Sequence, residues 1–329
     1  MKICIVKLSA MGDIIHSMVA LQFIKKRYPK ATIDWIVEDG FKGILENNPH
    51  IDNILPINLK SIKKKKTALF SQIKLLQQYS KNNYDIVIDA QGLIKSAIVS
   101  KIVGEKVVGS KIIGFDKESI REKFATWFYT HTVTIGYDKN VINRSIKVLC
   151  SSLDIEVTKE MILKKKPFLF AKSKSEFQDY IVFVVGASRE NKVYPKEKFL
   201  QLALKLEKQI VVVWGNQEEH DIALYLASNA SNVTVAPKGN LDNLKSIIAS
   251  SSLVIGGDTG PTHIAWGCNV ASIAIFGNTP HYRNTYITSI NKVVKSKSEV
   301  DPLRLDYSDF SIRDIEVEEI LSVYYIIFS

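Results

Sequence analysis

The sequence predicts an α/β protein whose two doubly wound, Rossmann-like domains face each other across a cleft. Short apolar runs rich in β-branched residues alternate with amphipathic helical stretches, which is typical of parallel sheets with helical crossovers. This alternation weakens between residues 154 and 179, where lysines accumulate, and then restarts. The 329 residues, 46% of them hydrophobic, suffice for two cores. We expect domains at 1–167 and 168–315, with a C-terminal helix at 316–329 that can pack back on the first domain.

The first half begins with the apolar run Lys2–Leu8, which predicts a buried strand, and Pro29 closes the helix that follows it. Strands are predicted at 2–8, 32–37, 53–57, 84–89, 107–109 and 112–115. Helices are predicted at 14–27, 41–47, 69–79, 94–102, 120–129 and 141–153. The lysine-rich stretch 60–66 is predicted to be a loop.

The second half repeats the same architecture without a detectable sequence repeat. Strands are predicted at 180–185, 210–214, 233–234, 253–255 and 271–276. Helices are predicted at 195–208, 218–228, 241–250 and 317–328. In such sheets, ligands bind beyond the carboxyl ends of the strands, so the loops at those ends are the candidate sites.

The formal charge of +10 predicts an anionic partner, for which a nucleic acid, a phosphorylated substrate and an acidic membrane surface are candidates. No recognised nucleic-acid-binding module is present, which disfavours the first. Three isolated cysteines favour buried thiols in a reducing compartment over disulfides or a zinc site. Charged residues interrupt the N-terminal apolar stretch, and no apolar run approaches the roughly 20 residues that span a bilayer, so we expect a soluble or peripheral protein.

The stretch from Gly256 to His263 joins a predicted strand to a predicted helix. Its glycines permit a sharp turn, Thr259 can cap the helix, and free amides at the helix start favour an anion. Asp258 and His263 add an acceptor and a titratable donor. The alternative is an ordinary strand-to-helix turn with a capping aspartate.

Three further loops follow predicted strands. Asp13 is either a helix cap or a carboxylate poised as a general base. Ser188 and Lys192 offer a hydroxyl and a positive charge to a phosphate, although the loop lacks the Walker pattern and a plain polar loop is the alternative. We expect Lys192 to be a surface lysine with little packing. Glu219 is either a ribose ligand or a cap of its helix.

The run from Lys60 to Lys66 is either a solvated loop or a basic collar for the carboxylates and phosphates of an acceptor, or for anionic lipid. The second lysine cluster, at residues 164–166, is expected to be plain solvation. No aspartate-rich metal motif is apparent, so we expect no metal.

Three stretches together resemble the lipopolysaccharide heptosyltransferases. They are Lys7-Leu8-Ser9-Ala10-Met11-Gly12-Asp13-Ile14, Asp89-Ala90-Gln91-Gly92-Leu93-Ile94-Lys95-Ser96 and Gly257-Asp258-Thr259-Gly260-Pro261-Thr262-His263. The segments Gly114-Phe115-Asp116 and Ile120-Arg121-Glu122 resemble the heptosyltransferase I branch, with heptosyltransferase II as the alternative. The resemblance implies a GT-B fold and a monomeric, peripheral enzyme on the cytoplasmic face of the inner membrane. It also implies metal-independent, inverting transfer from ADP-L-glycero-β-D-manno-heptose to the first Kdo of Kdo-lipid A, without a cofactor.

The resemblance also assigns roles to particular residues. Asp13 matches the base and Glu219 the ribose contact. The donor-binding set is Ser188, Lys192, Glu219, Asp258, Thr259, Gly260 and His263, in which Asp258 contacts the donor sugar and Thr259 and Gly260 offer amides to the diphosphate. The acceptor-binding set is Lys60, Lys63, Lys64, Lys95 and Arg121. Two departures from the family pattern are Gly239, which offers no apolar side chain to adenine, and Gly186-Ala187, which replaces a hydroxyl-rich form.

In the reaction so implied, Asp13 takes the proton of a Kdo hydroxyl, whose oxygen attacks the anomeric carbon opposite the leaving ADP. Lys192 and the amides near Gly260 stabilise the charge that develops on the diphosphate. A sugar-nucleotide epimerase is an alternative that would turn over without acceptor. A non-enzymatic nucleotide-sugar or lipid-binding protein would bind without releasing ADP.

Overall fold

A computed structural model of the protein describes residues 1–64 and 66–329, and for Lys63 and Lys64 it describes only the backbone. The chain divides into two compact units, Met1–Phe168 (unit 1) and Leu169–Ser329 (unit 2). The division falls one residue after the boundary expected from the sequence.

Unit 1 is built around a six-stranded parallel sheet. Its strands are β1 (Lys2–Val6), β2 (Thr32–Glu38), β3 (Asn53–Ile57), β4 (Ile86–Asp89), β5 (Lys111–Phe115) and β6 (His131–Val133). Its helices are α1 (Met11–Met18), α2 (Ala20–Arg27), α3 (Lys42–Leu45), α4 (Lys60–Lys64), α5 (Ala68–Tyr79), α6 (Ile94–Gly104), α7 (Val141–Cys150) and α8 (Lys159–Leu163).

Unit 2 contains a second six-stranded parallel sheet. Its strands are β7 (Tyr180–Val184), β8 (Gln209–Val213), β9 (Val233–Val235), β10 (Leu253–Gly257), β11 (Ser272–Phe276) and β12 (Asn291–Lys295). Its helices are α9 (Lys196–Lys205), α10 (Gln217–Asn229), α11 (Leu241–Ala249), α12 (Gly260–Cys268), α13 (His281–Asn284) and α14 (Val317–Phe328).

Both sheets have the same strand order. It is β3-β2-β1-β4-β5-β6 in unit 1 and, read from the other edge, β9-β8-β7-β10-β11-β12 in unit 2. In unit 1, Ile5 pairs with Trp35 on one side and with Ile88 on the other. In such sheets the order reverses between the first and fourth strands, and ligands bind at the carboxyl ends there. The loops after β1 and β4, and those after β7 and β10, therefore hold the two candidate sites.

Each sheet is covered by helices that bury its apolar residues, because strands buried on both faces are continuously apolar. In unit 1, Cys4 and Val6 of β1 pack with Val87 of β4 and Val99 of α6. In unit 2, Ile181 and Phe183 of β7 pack with residues of β8, β10 and α9. The cores thus hold the strand ends at fixed positions.

Several local expectations differ from the structure. The three-residue edge strand β6 and the polar edge strand β12 were not expected, since short edge strands carry little periodic signal. The lysine run starts with the short helix α4, whereas 107–109 is a turn with Gly109 at a φ of 85°. The expected helix at 120–129 is a 3₁₀ segment at Lys123–Phe128.

The C-terminal helix α14 packs on unit 2, so the expectation that it returns to the first domain is wrong. Val317, Ile320 and Leu321 join the core formed by β7, β8 and α9. Lys198 and Lys205 of α9 pair with Glu316 and Glu318 at the start of the helix. The helix has an apolar face that this core buries and acidic residues that the lysines of α9 neutralise.

Within the described ranges, no helix is both long and apolar enough to cross a bilayer. Cys4 and Cys150 are buried free thiols, and Cys268 is a partly buried one. Burial raises the pKa of Cys150 to about 12, so this thiol stays protonated at neutral pH.

Candidate functional site

In unit 1 the loops after β1 and β4 are joined by hydrogen bonds at the point where the strand order reverses. The buried Lys7 ammonium donates to the Ala90 carbonyl at 3.0 Å. The amides of Leu8 and Ser9 both donate to Oε1 of Gln91 at 3.1 Å. These bonds fix the loop that leads into α1.

Asp13 lies at the third position of α1, at the carboxyl edge of the sheet. Its Oδ2 accepts a hydrogen bond from the Ala10 amide at 3.3 Å, and its side chain is half-buried. The carboxylate therefore takes part in the helix start, as the capping interpretation requires. Within the described residues, its second oxygen accepts no hydrogen bond and is available to a ligand, as a base would need.

Asp89, at the end of β4, is a buried carboxylate that belongs to one of the three family-like stretches but has no role predicted from the sequence. It accepts four hydrogen bonds, from the amides of Gln91 and Gly92 and the hydroxyls of Ser96 and Tyr129, at 2.7–3.0 Å. Burial raises its pKa, and the hydrogen bonds act in the opposite direction. Asp89 thereby anchors the start of α6, the helix that carries Lys95.

Glu38 is a second carboxylate that sequence reasoning missed. It ends β2, is buried, and accepts hydrogen bonds from the backbone of Leu59 and Lys60. Burial raises its pKa, whereas the nearby ammonium groups of Lys95 and Lys60 lower it. The structure thus brings two predicted acceptor-binding lysines together around one buried carboxylate. An acidic residue at the end of a buried strand was the signal in the sequence.

Arg121 lies beside the start of α6, because its neighbour Glu122 accepts a hydrogen bond from the Ile94 amide at 2.7 Å. The side chain of Arg121 is exposed. Lys95 lies one residue further along that helix and is also exposed. The side chains of Lys63 and Lys64, and all of Lys65, lie outside the described part of the chain. Of the predicted acceptor set, Lys60, Lys95 and Arg121 therefore have described positions at this edge.

In unit 2 a buried network centres on Asp258, directly after β10. Its Oδ1 lies 3.0 Å from Nε2 of His263. Its Oδ2 accepts hydrogen bonds from Lys192 at 3.0 Å and from Thr279 and Asn284 at 2.9 Å each. Burial alone would raise the pKa of Asp258, but Lys192 and His263 hold it well below its usual range. The carboxylate is therefore ionised and its oxygens are already engaged.

Lys192 is not the loosely packed surface lysine that the sequence led us to expect. Its side chain is only 16% exposed, and its ammonium also donates to the Asp258 carbonyl at 2.6 Å. A cation held near a fixed carboxylate is pre-oriented for an anionic ligand, and its removal would leave the buried Asp258 carboxylate without its ammonium partner.

Thr259 occupies the capping position of α12, but its hydroxyl accepts no amide hydrogen bond there. Gly260 begins the helix and Pro261 follows it, as expected. The Thr259 hydroxyl therefore does not occupy the amides of the first turn. The positive end of the helix dipole favours an anion beside those amides.

Glu219 makes a reciprocal cap at the start of α10. Its carboxylate accepts hydrogen bonds from the Gly215 amide at 2.7 Å and from the Asn216 side chain at 2.9 Å. A Cβ on Gly186 would lie 2.1 Å from its carboxyl carbon, so a larger residue there would displace the Glu219 carboxylate from this position. This close approach brings the loops after β7 and β8 together, and Ser188 is exposed on the first of them.

The loop at Gly239 also requires a small residue. A Cβ there would lie 2.7 Å from Cβ of Asn243, which closes the start of α11. Nearby, the indole of Trp214 donates to the Ala236 carbonyl at 2.7 Å. The departure at Gly239 is therefore explained by local packing.

Thr279 and Asn284 complete the network around Asp258 but are not among the site residues predicted from the sequence. They follow β11, and a polar pair after a buried strand was the available signal. Over the part of the chain that the structure describes, no cluster of three or more histidine, cysteine, aspartate or glutamate residues could hold a metal ion.

Two parallel sheets of this order, each with polar loops where the order reverses, define the GT-B class of α/β proteins. Residues 72–304 match the profile of glycosyltransferase family 9 (heptosyltransferase). Lipopolysaccharide heptosyltransferase 1 of Campylobacter coli is 39% identical and covers 98% of both chains. Its counterpart in Escherichia coli K12 is 29% identical over 85% of this chain and 88% of its own. The chain therefore belongs to glycosyltransferase family 9, and it is a glycosyltransferase.

Solved structures share this fold. The E. coli heptosyltransferase WaaC with ADP has a TM-score of 0.83 at 23% identity and covers 99% of this chain and 100% of its own. The same enzyme with ADP-2-deoxy-2-fluoro heptose has a TM-score of 0.81, also at 23% identity, and covers 99% of both chains.

Proposed function

We propose that this glycosyltransferase moves L-glycero-D-manno-heptose from ADP-heptose to the first Kdo of Kdo-lipid A, with inversion at the anomeric carbon. The observation that carries the proposal is the 39% identity, over 98% of both chains, to a lipopolysaccharide heptosyltransferase 1. The WaaC structures, one with ADP and one with ADP-2-deoxy-2-fluoro heptose, support the donor. Lipopolysaccharide core synthesis is the process that this transfer serves.

On the donor side, the proposal uses the three loops that β7, β8 and β10 bring to one edge of unit 2. The diphosphate binds Lys192, Ser188 and the amides of Thr259 and Gly260. Glu219 accepts hydrogen bonds from the ribose hydroxyls. Asp258 and His263 hold Lys192 and the start of α12 in position, and they complete the pocket for the donor sugar. Charge-assisted bonds of this kind are among the strongest available to a phosphate.

In the proposed step, Asp13 accepts the proton of the acceptor hydroxyl as its oxygen bonds to the anomeric carbon of heptose. The bond from that carbon to the diphosphate oxygen breaks, and its electron pair leaves with ADP. The positive charge of Lys192 and the helix amides stabilise the leaving diphosphate without a metal. Attack opposite the leaving group inverts the anomeric configuration.

On the acceptor side, Lys60, Lys63, Lys64, Lys95 and Arg121 bind the carboxylates and phosphates of Kdo-lipid A. The support is electrostatic, since Lys60, Lys95 and Arg121 lie at the same sheet edge as Asp13 in unit 1. Because the acceptor is a lipid, we also propose that the enzyme is held peripherally on the cytoplasmic face of the inner membrane. We propose that it works there as a monomer.

An ADP-release assay with purified protein tests the proposal. We expect ADP-heptose turnover that requires Kdo-lipid A and continues in excess EDTA. Turnover only with an acceptor that already carries one heptose would instead assign a heptosyltransferase II activity. Donor consumption without acceptor would favour an epimerase, and binding without ADP release a binding protein.

A further inference from the structure

The short 3₁₀ segment Lys123–Phe128 of unit 1 exposes two large aromatic side chains. Phe124 is 62% and Trp127 75% exposed, and their rings meet edge to face with centroids 5.0 Å apart. In a 3₁₀ helix, residues three apart lie on the same side. Ala125, between them, is fully buried, so the segment has one face in the core and one aromatic face in solvent.

This segment is fastened to the unit at both ends. Glu122 accepts a hydrogen bond from the Ile94 amide at 2.7 Å, and Tyr129 donates one to Asp89 at 2.7 Å. The segment also packs on α6. The exposed rings therefore stand on a rigid support, and nothing described in unit 1 covers them.

Basic residues accompany the two rings. Arg121 and Lys123 precede them in the chain, and Lys95 and Lys101 are exposed on α6, the helix on which the segment packs, with Ile98 partly exposed between them. Of the acidic neighbours, Glu118 lies 3.8 Å from Lys123 and Glu122 is occupied by the start of α6. Aromatic rings beside lysine and arginine are typical of surfaces that bind the headgroup region of a bilayer.

The charge of the whole chain favours the same partner. Unit 1 has 28 of the 44 lysines and arginines and 16 of the 34 acidic residues, a formal charge of +12. Unit 2 has the remaining 16 basic and 18 acidic residues, a formal charge of −2. An anionic membrane surface therefore attracts unit 1 and not unit 2.

Unit 2 offers a contrasting apolar surface at the end of α14. Tyr325 is 61% and Phe328 51% exposed, so their exposure is comparable to that of the unit 1 pair. However, α14 contains no lysine or arginine and starts with acidic residues. This surface lacks the charge that an anionic bilayer requires.

We propose that Phe124 and Trp127, with the adjacent basic residues Lys101 and Lys123 of unit 1, form a docking surface that inserts into the headgroup region of an anionic phospholipid bilayer. The docking surface would hold the enzyme on the membrane that contains its lipid acceptor. The inference deepens the proposed function and rests on it. The partner is the bilayer lipid itself and not the acceptor.

Vesicles without acceptor test this directly. We expect the wild type to sediment with phosphatidylglycerol-containing vesicles and much less with pure phosphatidylcholine. The double variant Phe124→Ser/Trp127→Ser should lose about tenfold in partitioning, since both rings contribute apolar burial. Lys123→Gln should lose about fivefold, as expected for one basic residue near an anionic surface.

The matched control is Tyr325→Ser/Phe328→Ser on α14, which should bind vesicles as the wild type does. Wild-type partitioning by the Phe124/Trp127 variant, or its loss in the α14 control, would overturn the proposal. Circular dichroism and the melting temperature check that each variant is folded.

Tryptophan fluorescence supplies a second measurement. Trp35 and Trp266 are buried and Trp214 is half-buried, which leaves Trp127 as the exposed indole among them. Anionic vesicles should shift the emission of the wild type to the blue. Trp127→Phe should still sediment with vesicles but show no shift. A shift that persists in Trp127→Phe would contradict insertion at this residue.

Turnover separates this proposal from the proposed function. With a soluble, deacylated Kdo acceptor, the Phe124/Trp127 variant should match the wild type. With Kdo-lipid A embedded in vesicles, its KM should rise while kcat holds. The vesicle experiments need no turnover, so they remain decisive for the docking surface even if no heptose transfer is found.

Discussion

Asp13 combines a structural and a proposed chemical role at one carboxylate. Its Oδ2 accepts the Ala10 amide at the start of α1, a bond that the amide oxygen of asparagine can keep. Asp13→Asn should therefore retain the fold and the affinity for ADP-heptose. Loss of a general base should lower kcat by about 100- to 10,000-fold. Steady-state kinetics beside donor titration measure both quantities.

A suitable control is Glu160→Gln, which alters a first-turn acid of α8 elsewhere in unit 1. It should leave kcat unchanged. Near-normal kcat in Asp13→Asn would remove the base role and leave only the helix start as its function.

Lys192 has a structural role beside its proposed role in donor binding, because its ammonium bonds both the carboxylate and the carbonyl of Asp258. Lys192→Ala should weaken ADP-heptose use by about 1.5–3 kcal/mol, the cost of a charged hydrogen bond. It should also lower the melting temperature, since the buried Asp258 loses its ammonium partner. Lys174→Ala, at an exposed lysine of unit 2, should change neither quantity. Unchanged kinetics with ADP-heptose as the varied substrate would contradict the proposed contact between Lys192 and the diphosphate.

The pKa of Asp258 also predicts a dependence of stability on pH. Lys192 and His263 hold it well below its unfolded value of about 3.9. The network therefore contributes its full stability above about pH 4 and loses it as the pH falls toward the folded pKa. Asp258→Asn should be less stable at neutral pH and should lose less stability on acidification. Melting temperatures across this range test it, and parallel curves for both proteins would contradict it.

At the scale of the element, α14 shows how two faces of one helix differ in energetic importance. Ile320 is fully buried in the core of unit 2, whereas Ile326 is 63% exposed. Ile320→Ala should lower the free energy of unfolding by about 2–5 kcal/mol, as for a buried large-to-small change. Ile326→Ala, the same change on the other face, should cost little. Denaturant unfolding measures both, and equal losses would contradict the packing described.

The strands and their loops show which elements could be predicted. Continuous apolar runs such as β7 and β10 identify buried parallel strands, and they carry the site loops. The edge strands β6 and β12 could not be predicted, because a stretch of three to five partly polar residues has the same pattern as a loop. The 3₁₀ segment Lys123–Phe128 was expected to be a helix, since its composition suits either and tertiary contacts decide between them.

At the scale of the whole molecule, the net positive charge lies in unit 1, which predicts different salt responses for the two substrates. Lys63→Gln/Lys64→Gln should weaken binding of Kdo-lipid A and reduce its salt dependence, because charges are screened over about 10 Å at 0.1 M salt. ADP binding should be unaffected. Isothermal titrations with each substrate at several salt concentrations measure this.

The matched control changes two exposed lysines of the second cluster, Lys164→Gln/Lys166→Gln, and should have no effect. Lys165 is left unchanged because it is buried over the ring of Phe168, contrary to the expectation of plain solvation. An unaltered acceptor titration for the Lys63/Lys64 variant would indicate that the lysine run 60–66 is only solvated and does not bind the acceptor.

The sequence by itself determined the two Rossmann-like units, the family and the loops that carry Asp13, Ser188 and Asp258. These follow from apolar periodicity and local turn chemistry, which neighbouring residues control. Only the tertiary structure decided that Lys192 is bound to Asp258, that Glu38 lies near Lys60 and Lys95, that Asp89 anchors α6, and that α14 belongs to unit 2. Such contacts join residues far apart in the chain, and it is the packing of the sheets that brings them within hydrogen-bonding distance.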